Sequence, residues 1–173
     1  MTASDTKQTL ETITPKGSPI FFLQPDQTLS PHPRDHSVVP VVRVSIRPAL
    51  LADHLTADPE RKPVDALALI DTGADYLLID QAFADQHGFQ SNSATTVRSS
   101  NGSREQKKYP GLFKLSDGSH QVTHAATLTS VPLRENGHNF DVILGMQFLS
   151  NGILVMDFDS NTFRFEFTTK PNK

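Results

Sequence analysis

The feature that most constrains this chain is a polar turn between two apolar runs, in the stretch ALALIDTGADYLLID at residues 66 to 80. The first run reads as a β-strand, and Leu77-Leu78-Ile79 continue behind the turn. Because Asp and Gly are favoured in tight turns, an ordinary turn is one interpretation. The flanking apolar runs predict instead a buried loop, in which Asp71 needs partners because an isolated buried charge is strongly disfavoured. Under that second interpretation Asp71 is held in place for chemistry, with a hydroxyl from Thr72 and a close backbone approach at Gly73.

Composition excludes several functional classes. The 173 residues suffice for one domain with a core, and a net charge of -3 argues against a nucleic-acid partner, which usually needs a basic face. The chain has no cysteine, which excludes disulfides, thiolate metal sites and a cysteine nucleophile. The N-terminus lacks the features of a signal peptide, and no window approaches the roughly 20 apolar residues of a membrane span. We therefore expect a cytoplasmic protein with no membrane partner.

The chain divides by composition into an arm and a domain. Residues 1–37 are polar and rich in proline apart from the island PIFFL, and we predict a flexible N-terminal arm there. Residues 38–173 form the predicted domain. Its short strands, separated by frequent turns, indicate an all-β barrel or sandwich with one or two short helices.

The predicted elements of the domain follow from local patterns. They are a strand at 38–46, a helix at 80–88 with Asp80 as N-cap and Gly88 at its end, a hairpin at 95–115 turning at Asn101-Gly102, a strand at 120–133, a strand and short helix at 140–152, and a hairpin at 153–167.

Two segments together resemble a known family. ALIDTGAD resembles the active-site signature of aspartic peptidases, in the form typical of retropepsins, and DVILGMQFLSNGILVMDF at 141–158 resembles the family's Leu-Gly segment with its short helix and closing strand. The resemblance spans residues 38–167 and implies a closed retropepsin-like acid-protease β-barrel. It also implies that Ile143-Leu144-Gly145 pack beneath the loop of Asp71, with Gly145 lacking a Cβ because backbone passes close by. The helix at 80–88 makes the cellular and bacterial members more similar than the viral enzymes.

The resemblance implies a homodimeric aspartic endopeptidase. Such chemistry needs two carboxylates around one water, and the sequence contains a single Asp-Thr-Gly, so Asp71 of each subunit supplies one. Thr72 and Gly73 support the active-site loop, and the threonines hydrogen-bond across the dimer axis. The resemblance implies no cofactor and no metal. One alternative is a catalytically silent module of the same fold that dimerises or binds peptides, and another reading adds self-cleavage of the N-terminal arm.

The substrate implied by the resemblance is a protein or peptide in extended conformation. A hairpin at 95–113, with Asn101, Gly102 and Ser103 near its tip, would close over it, and Ala74 and Asp75 would line its binding site. The terminal segments NTFRFEF at 161–167 and SPIFFL at 18–23 are the candidate dimer strands. Two other interpretations of PIFFL stay open, a core strand and a site of self-cleavage.

Three features depart from the family or suggest other functions. Met146 stands where viral enzymes have an arginine that pairs with the acid matching Asp75, and Gln147 replaces an aspartate common in cellular relatives. The hairpin is basic, which we interpret as a solvated face. The segment HQVTH at 120–124 spaces two histidines as in a zinc helix, but it lacks the glutamate after the first histidine and lies in β-like sequence, so we predict no metal there.

Overall fold

The computed structural model describes residues 17–34, 37–91, 93–99, 102–116 and 121–168. Its strands are β1 (Ser18–Pro19), β2 (Phe21–Leu23), β3 (Leu29–Ser30), β4 (Pro40–Pro48), β5 (Val64–Ile70), β6 (Leu78–Asp80), β7 (Ser93–Ser99), β8 (Gly102–Ser116), β9 (Gln121–Val131), β10 (Val142–Leu144), β11 (Gly152–Asp157) and β12 (Thr162–Phe167). The helices are α1 (Gln81–Gln86) and α2 (Met146–Leu149). The predicted all-β class with short helices is confirmed. No helix in the ranges given above has the length and apolar character that crossing a membrane requires.

Six strands close into a barrel. They are hydrogen-bonded in the order β4, β5, β10, β6, β9 and β8, and β8 pairs back onto β4. Along β4 the buried Val42, Val44 and Ile46 alternate with side chains that face outward, as expected for a strand with one face on a core. The predicted closed β-barrel is therefore confirmed.

The short strand β10 joins distant parts of the barrel. It runs parallel to β5, with Leu144 opposite Ile70, and antiparallel to β6, with Ile143 opposite Leu78. Parallel pairing places the ends of β5 and β10 side by side. Residue 71 and residue 145, which follow these two strands, therefore leave the barrel at the same edge.

Helix α1 follows β6 as its capping residues predict. The carboxylate of Asp80 accepts a hydrogen bond from the backbone N–H of Phe83 (3.0 Å), so it caps the first turn. Gly88 has a φ of +72°, the left-handed conformation that ends many helices. The predicted helix at 80–88 is confirmed to within its terminal residues.

The hairpin of β7 and β8 also follows its prediction. Ser99 lies opposite Gly102 in the ladder, and Gly102 has a φ of +122°, which a residue with a side chain rarely adopts. Beyond this hairpin β8 continues along β9, and near its end it pairs with β4. The hairpin is thus an extension of the barrel strand β8, with β7 paired to its first half outside the barrel.

The segment Ser18–Ser30 differs from the predicted arm. Ile20 and Phe22 are buried in the main core, β2 pairs with β4, and β1 pairs with β12 in a separate three-stranded sheet ordered β1, β12, β11. The apolar segment PIFFL packs against the barrel, although the residues around it in the sequence are mostly polar. The packed domain therefore begins before residue 38, and the first part of the arm predicted over residues 1–37, residues 1–16, lies outside the described ranges.

Candidate active site

The loop of Asp71 begins where β5 ends. The backbone N–H of Asp71 donates to the carbonyl of Leu144 (3.2 Å), which extends the parallel ladder one residue beyond Ile70. Position 71 is therefore fixed to the barrel by a strand that lies more than seventy positions later in the sequence. The backbone of Asp71 is therefore restrained by two hydrogen-bonded strands, β5 and β10.

The turn itself is closed by hydrogen bonds to Asp71. Its carboxylate Oδ1 accepts the backbone N–H of Gly73 (2.8 Å), and its carbonyl accepts the N–H of Ala74 (3.2 Å). A Cβ at Gly73 would lie 3.2 Å from that same Oδ1, so the turn is tight at this point. The bond to Gly73 orients the carboxylate while its second oxygen, Oδ2, forms no hydrogen bond with any residue that the structure describes.

The segment after β10 supports the loop from the other side. The N–H of Met146 donates to the carbonyl of Ala74 (2.7 Å), and the N–H of Gln147 donates to the carbonyl of Asp75 (2.9 Å). A Cβ on Gly145 would lie 2.6 Å from the carbonyl oxygen of Ala74 and closer still to that of Tyr76. Backbone thus passes directly against Gly145, and Ile143 and Leu144 lie in the strand that pairs with β5 and β6.

The exposure of the loop corrects the prediction that it is buried. Thr72, Gly73 and Asp75 are exposed, Asp71 is half-buried, and Tyr76 retains 63% of its accessible surface. The flanking apolar residues Ile70 and Leu77 are buried, but they pack beneath the loop and leave its upper side uncovered. The two apolar runs indicate that a core lies beneath the loop. Nothing within the described part of the chain covers the upper side of the loop.

The predicted hairpin residues are only partly described. Gly102 and Ser103 begin β8 and are exposed, whereas Asn101 lies outside the described residues. Two contacts hold the hairpin stem: Arg104 pairs with Glu135 (3.1 Å), and the N–H of Lys107 donates to Ser130 Oγ (2.8 Å). The salt bridge is exposed and contributes little to stability, so the backbone contact at Lys107 is the firmer of the two.

The residues that depart from the family pattern lie next to the loop. Met146 begins α2 and is exposed, and Asp75 is exposed with no ion pair among the residues described. This is the consequence expected when methionine replaces an arginine. Gln147 contributes its backbone N–H to the loop, and its carbonyl accepts from Ser150 and Asn151.

Sequence reasoning missed a buried carboxylate network beside the site. Asp141 accepts the backbone N–H of Leu67 (3.0 Å) and pairs with Arg134, and Asp80 accepts the N–H of Arg134 (3.0 Å) besides capping α1. The N–H of Asp80 also donates to the carbonyl of Asp141 (2.8 Å). These contacts join the middle of β5 to the end of β6. In the sequence Asp141 is only an aspartate next to a predicted strand, and the same pattern is common in surface turns.

Among the described residues, burial is the main cause of a pKa shift at His124 and Tyr109. Burial lowers the pKa of His124, whose ring packs against Phe148 and Phe167 at centroid distances of 5.7 Å each. Burial also raises the pKa of Tyr109, whose hydroxyl accepts a hydrogen bond from Gln81 (2.7 Å). Over the described ranges no three His, Asp or Glu side chains come together in a way that could hold a metal ion. His120, the first histidine of the HQVTH segment, lies outside those ranges.

The clefts of the single chain lie elsewhere. The largest of those we found, about 760 Å³, is lined by residues of β4 and β5 such as Arg43 and Asp65, together with the turn between β2 and β3. A smaller one of about 270 Å³ lies between α1 and the hairpin stem. Neither is lined by Asp71, which lies on the exposed loop described above.

A closed β-barrel whose Asp-Thr-Gly turn is supported by a Leu-Gly strand places the chain in the class of retropepsin-like aspartic protease domains. Residues 60–151, more than half of the sequence, match the family described as "gag-polyprotein putative aspartyl protease", and the chain belongs to this family. The predicted family is therefore confirmed.

Other comparisons are more distant. A sequence search among curated proteins found no match. Similar solved structures include a retropepsin-like aspartic protease from Rickettsia conorii, with 12% identity and a TM-score of 0.44 over 82% of this chain and 85% of that chain. They also include the retroviral protease-like domain of Ddi1 from Leishmania major, with 15% identity and a TM-score of 0.40 over 73% of this chain and 93% of that chain.

Proposed function

We propose that this protein is a homodimeric aspartic endopeptidase in which Asp71 of each subunit supplies one of two catalytic carboxylates. The observation that supports this most is the state of Asp71 in the single chain. Its position is fixed by backbone hydrogen bonds, one carboxylate oxygen is oriented by Gly73, and the other is left open on an exposed loop. Such a group is half of a catalytic site, and a two-fold axis supplies the other half.

The chemistry follows from two carboxylates that share a proton. Like charges about 3 Å apart cannot both ionise, so the pair titrates as one unit with separated apparent pKa values. The ionised member accepts a proton from a water held between them, and the protonated member donates to the carbonyl oxygen of the scissile peptide. The activated water attacks the carbonyl carbon to give a tetrahedral species. The carboxyl group that took the water's proton passes it to the leaving nitrogen, and the C–N bond breaks to give an amine and a carboxylic acid without a covalent enzyme intermediate.

The loop offers defined groups for an extended peptide. The carbonyls of Ala74 and Asp75 are already engaged by Met146 and Gln147, so these two residues present mainly their side chains and the N–H of Asp75. The exposed carboxylate of Asp75 can accept a hydrogen bond from a substrate backbone. We assign Asn101, Gly102 and Ser103 to the hairpin tip that would close over the peptide and exclude water. We assign Thr72, exposed beside Asp71, to the contact across the axis.

Asp71→Asn tests the proposal directly. Asparagine keeps the shape and can still accept from Gly73, but it cannot act as the base. Wild type should cleave a casein-like protein and bind a pepstatin-like inhibitor, and the variant should not cleave, while both sediment as dimers. Cleavage that survives in the variant contradicts the role of Asp71.

The alternative, a silent module of the same fold, gives a different result. A wild type that dimerises but cleaves nothing from acid to neutral pH and binds no such inhibitor would support it. Shortening of the N-terminus in wild type but not in Asp71→Asn would add self-cleavage to the activity.

A further inference from the structure

The larger cleft lies at a gap along one side of β4. On that side β4 pairs with β2 at Pro40 and Val41, and it pairs with β8 from Ser45 onward. No strand that the structure describes pairs with residues 42–44 there. The cleft, of about 760 Å³, is lined by residues 43–45 at the gap, by Lys114 of β8 and by the turn between β2 and β3. Its volume is within the range of protein sites that hold ligands.

The main-chain groups of Arg43 face this gap. Along a strand, every second residue directs its N–H and C=O to the same side. The carbonyl of Val39 accepts from the N–H of Leu23 (2.9 Å), and the N–H of Ala49 donates to the carbonyl of Pro110 (3.1 Å), so the odd-numbered residues of this stretch point toward β2 and β8. Arg43 lies in the same series, at the point where no described strand is opposite. Unpaired strand groups of this kind are a template for an added peptide segment.

The side chains around the gap are positioned by the strand register. Lys114 on β8 and Asp65 on β5 both lie opposite Ser45 of β4, so these three side chains share one face of the sheet. The side chain of Arg43, two residues before Ser45, lies on the same face. Because neighbouring strands are about 4.8 Å apart, the backbone of Asp65 is roughly 10 Å from that of Lys114. The two cations therefore border the gap, and the carboxylate lies one strand further away.

Neither cation has a carboxylate partner in the part of the chain that the structure describes. The acids that form ion pairs there, Glu135 and Asp141, do not line this cleft. The guanidinium of Arg43 lies 6.0 Å from the ring centroid of Phe21, a contact that restricts where this side chain can point. The cleft thus combines a positioned guanidinium, an ammonium group and an open main-chain donor and acceptor.

We propose that this cleft is a second peptide-binding site, which takes an extended segment with an acidic side chain. One residue of the segment exchanges main-chain hydrogen bonds with Arg43, and its side chain then lies about 5 Å away on the same face. A carboxylate at that position meets the guanidinium of Arg43 and the ammonium of Lys114. Leu29 and Leu67, both half-buried, offer apolar surface to the flanking residues. The site does not include Asp71 and is independent of the proposed function.

An NMR titration tests the proposal. The probe is an alanine pentapeptide with one glutamate at its centre and blocked ends, added to the full chain carrying Asp71→Asn so that the probe is not cleaved. We expect the main-chain amide resonance of residue 43 to shift and to saturate. The same peptide with glutamine at its centre should bind about fivefold more weakly or worse, since a hydrogen bond to a charged group contributes more than a neutral one.

Substitutions in the cleft should change the dissociation constant of the glutamate peptide in opposite directions. Arg43→Ala and Lys114→Ala should each raise it about fivefold or more, because each removes a charged donor. Asp65→Asn should lower it about twofold, because it removes a like charge roughly 10 Å away. Arg61→Ala is the matched control, since Arg61 is an exposed cation that does not line the cleft. It should leave the constant unchanged.

An altered peptide tests the main-chain pairing separately. Methylation of the backbone nitrogen of the central glutamate removes the donor to the carbonyl of Arg43 but keeps the carboxylate. This peptide should bind at least about fivefold more weakly than the unmethylated one. Inorganic phosphate, which can contact the two cations but cannot pair with the strand, should not displace the peptide at equal concentration.

The outcomes separate this inference from the proposed function. Equal binding of the glutamate and glutamine peptides, or shifts confined to residues 71–75, would overturn the second site, whether or not wild type cleaves a protein. Unchanged binding of the methylated peptide, or displacement by phosphate, would show a simple anion site and contradict the pairing with β4. If Arg43→Ala alters sedimentation and not peptide affinity, the occupant is a second copy of the chain and the proposal is wrong. Lys114→Ala decides the case if Arg43→Ala fails to fold.

Discussion

Asp71 and the pair Asp80 and Asp141 show two different uses of an aspartate beside a barrel strand. Asp80 and Asp141 are only 1% and 7% exposed, and in each of them both carboxylate oxygens accept a hydrogen bond. Asp71 is half-buried, and one of its oxygens is left without a partner in the described chain. A carboxylate with every acceptor used holds backbone in place, whereas one with an acceptor left open can still bind a water or a proton.

The two kinds of carboxylate are also connected. The N–H of Asp141 donates to the carbonyl of Leu67 on β5, whose own N–H donates to the Asp141 carboxylate. The carbonyl of Asp141 accepts from the N–H of Asp80 at the end of β6, and β5 and β6 lead into and out of the loop of Asp71. The buried pair therefore fixes the two ends of the segment that carries the open one. Under the proposed function, substitution of Asp80 or Asp141 should affect stability, whereas substitution of Asp71 should affect activity.

The largest expected effect is on turnover. Asp71→Asn should lower kcat by about 10³-fold or more, since it removes a general base that contributes roughly 10²–10⁴-fold. The free energy of unfolding should change by less than about 0.5 kcal/mol, as is usual for a substitution that keeps the local contacts. Steady-state kinetics and urea unfolding on the same preparation measure both. If Asp71→Asn retained a tenth of the wild-type activity, Asp71 would not be the general base, and the contrast between Asp71 and the pair Asp80 and Asp141 would not hold.

Gly145→Ala should cause the largest loss of stability. The added Cβ would collide with backbone oxygens of Ala74 and Tyr76, which cannot move as a flexible side chain would. We expect a loss of about 3 kcal/mol in unfolding free energy, at the upper end for overpacking, together with loss of activity because the loop must shift.

Gly137→Ala is the control for that variant. Gly137 has a φ of +85° and open space around it, whereas Gly145 has an ordinary φ of -81°. The control therefore measures the conformational cost alone, about 1 kcal/mol. Equal losses for the two variants would show that contact with the loop is not what requires glycine at 145.

Asp141→Ala should reduce stability by about 2 kcal/mol, because it leaves the partly buried N–H of Leu67 without an acceptor and Arg134 without its partner. Asp159→Ala, at an exposed aspartate, should change it by less than about 0.5 kcal/mol. Urea unfolding measures both. If removing the Asp141 carboxylate had no more effect than removing that of Asp159, the buried network would not be structural.

The smallest expected effect concerns the half-buried histidine His124. Burial lowers the pKa of His124 in the folded chain, whereas an unfolded histidine titrates near 6.5. The unfolded state therefore binds more protons below about pH 6.5, and stability falls as the pH drops through that range until the folded-state pKa is passed. His124→Phe should make the melting temperature fall less between about pH 7.5 and pH 5.

His138→Phe is the matched control, since His138 also stacks on an aromatic ring but is exposed. It should keep the acid sensitivity of wild type. An acid sensitivity that survives in His124→Phe would show that other groups cause it.

Local signals in the sequence were sufficient for most elements. The cap at Asp80, the glycine that ends α1 and the turn glycine at 102 predicted the helix and the hairpin, because each acts over a few neighbouring residues. The turn of Asp71 was recognisable for the same reason. The Leu-Gly segment was found through its resemblance to a family, since no local pattern indicates that Gly145 lies against residue 76.

Other features could not be read from the sequence. The segment Ser18–Ser30 looked like an arm because its polar residues outnumber its apolar ones, yet Phe22 is completely buried. The ion pair of Arg134 and Asp141 lies in a stretch with the composition of a surface turn. The exposure of the Asp71 loop was also misjudged, because apolar neighbours show that a core lies nearby and do not show on which side of the loop it lies.

The sequence by itself determined the turns, the helix ends and the position of the Asp-Thr-Gly turn that carries Asp71, since backbone preferences and side-chain chemistry act at short range. Only the tertiary structure decided which strands became neighbours and which aspartates were fully satisfied. Those properties depend on pairing and burial between segments far apart in the chain. Their free energies are set by the surfaces that meet, and no single segment contains that information.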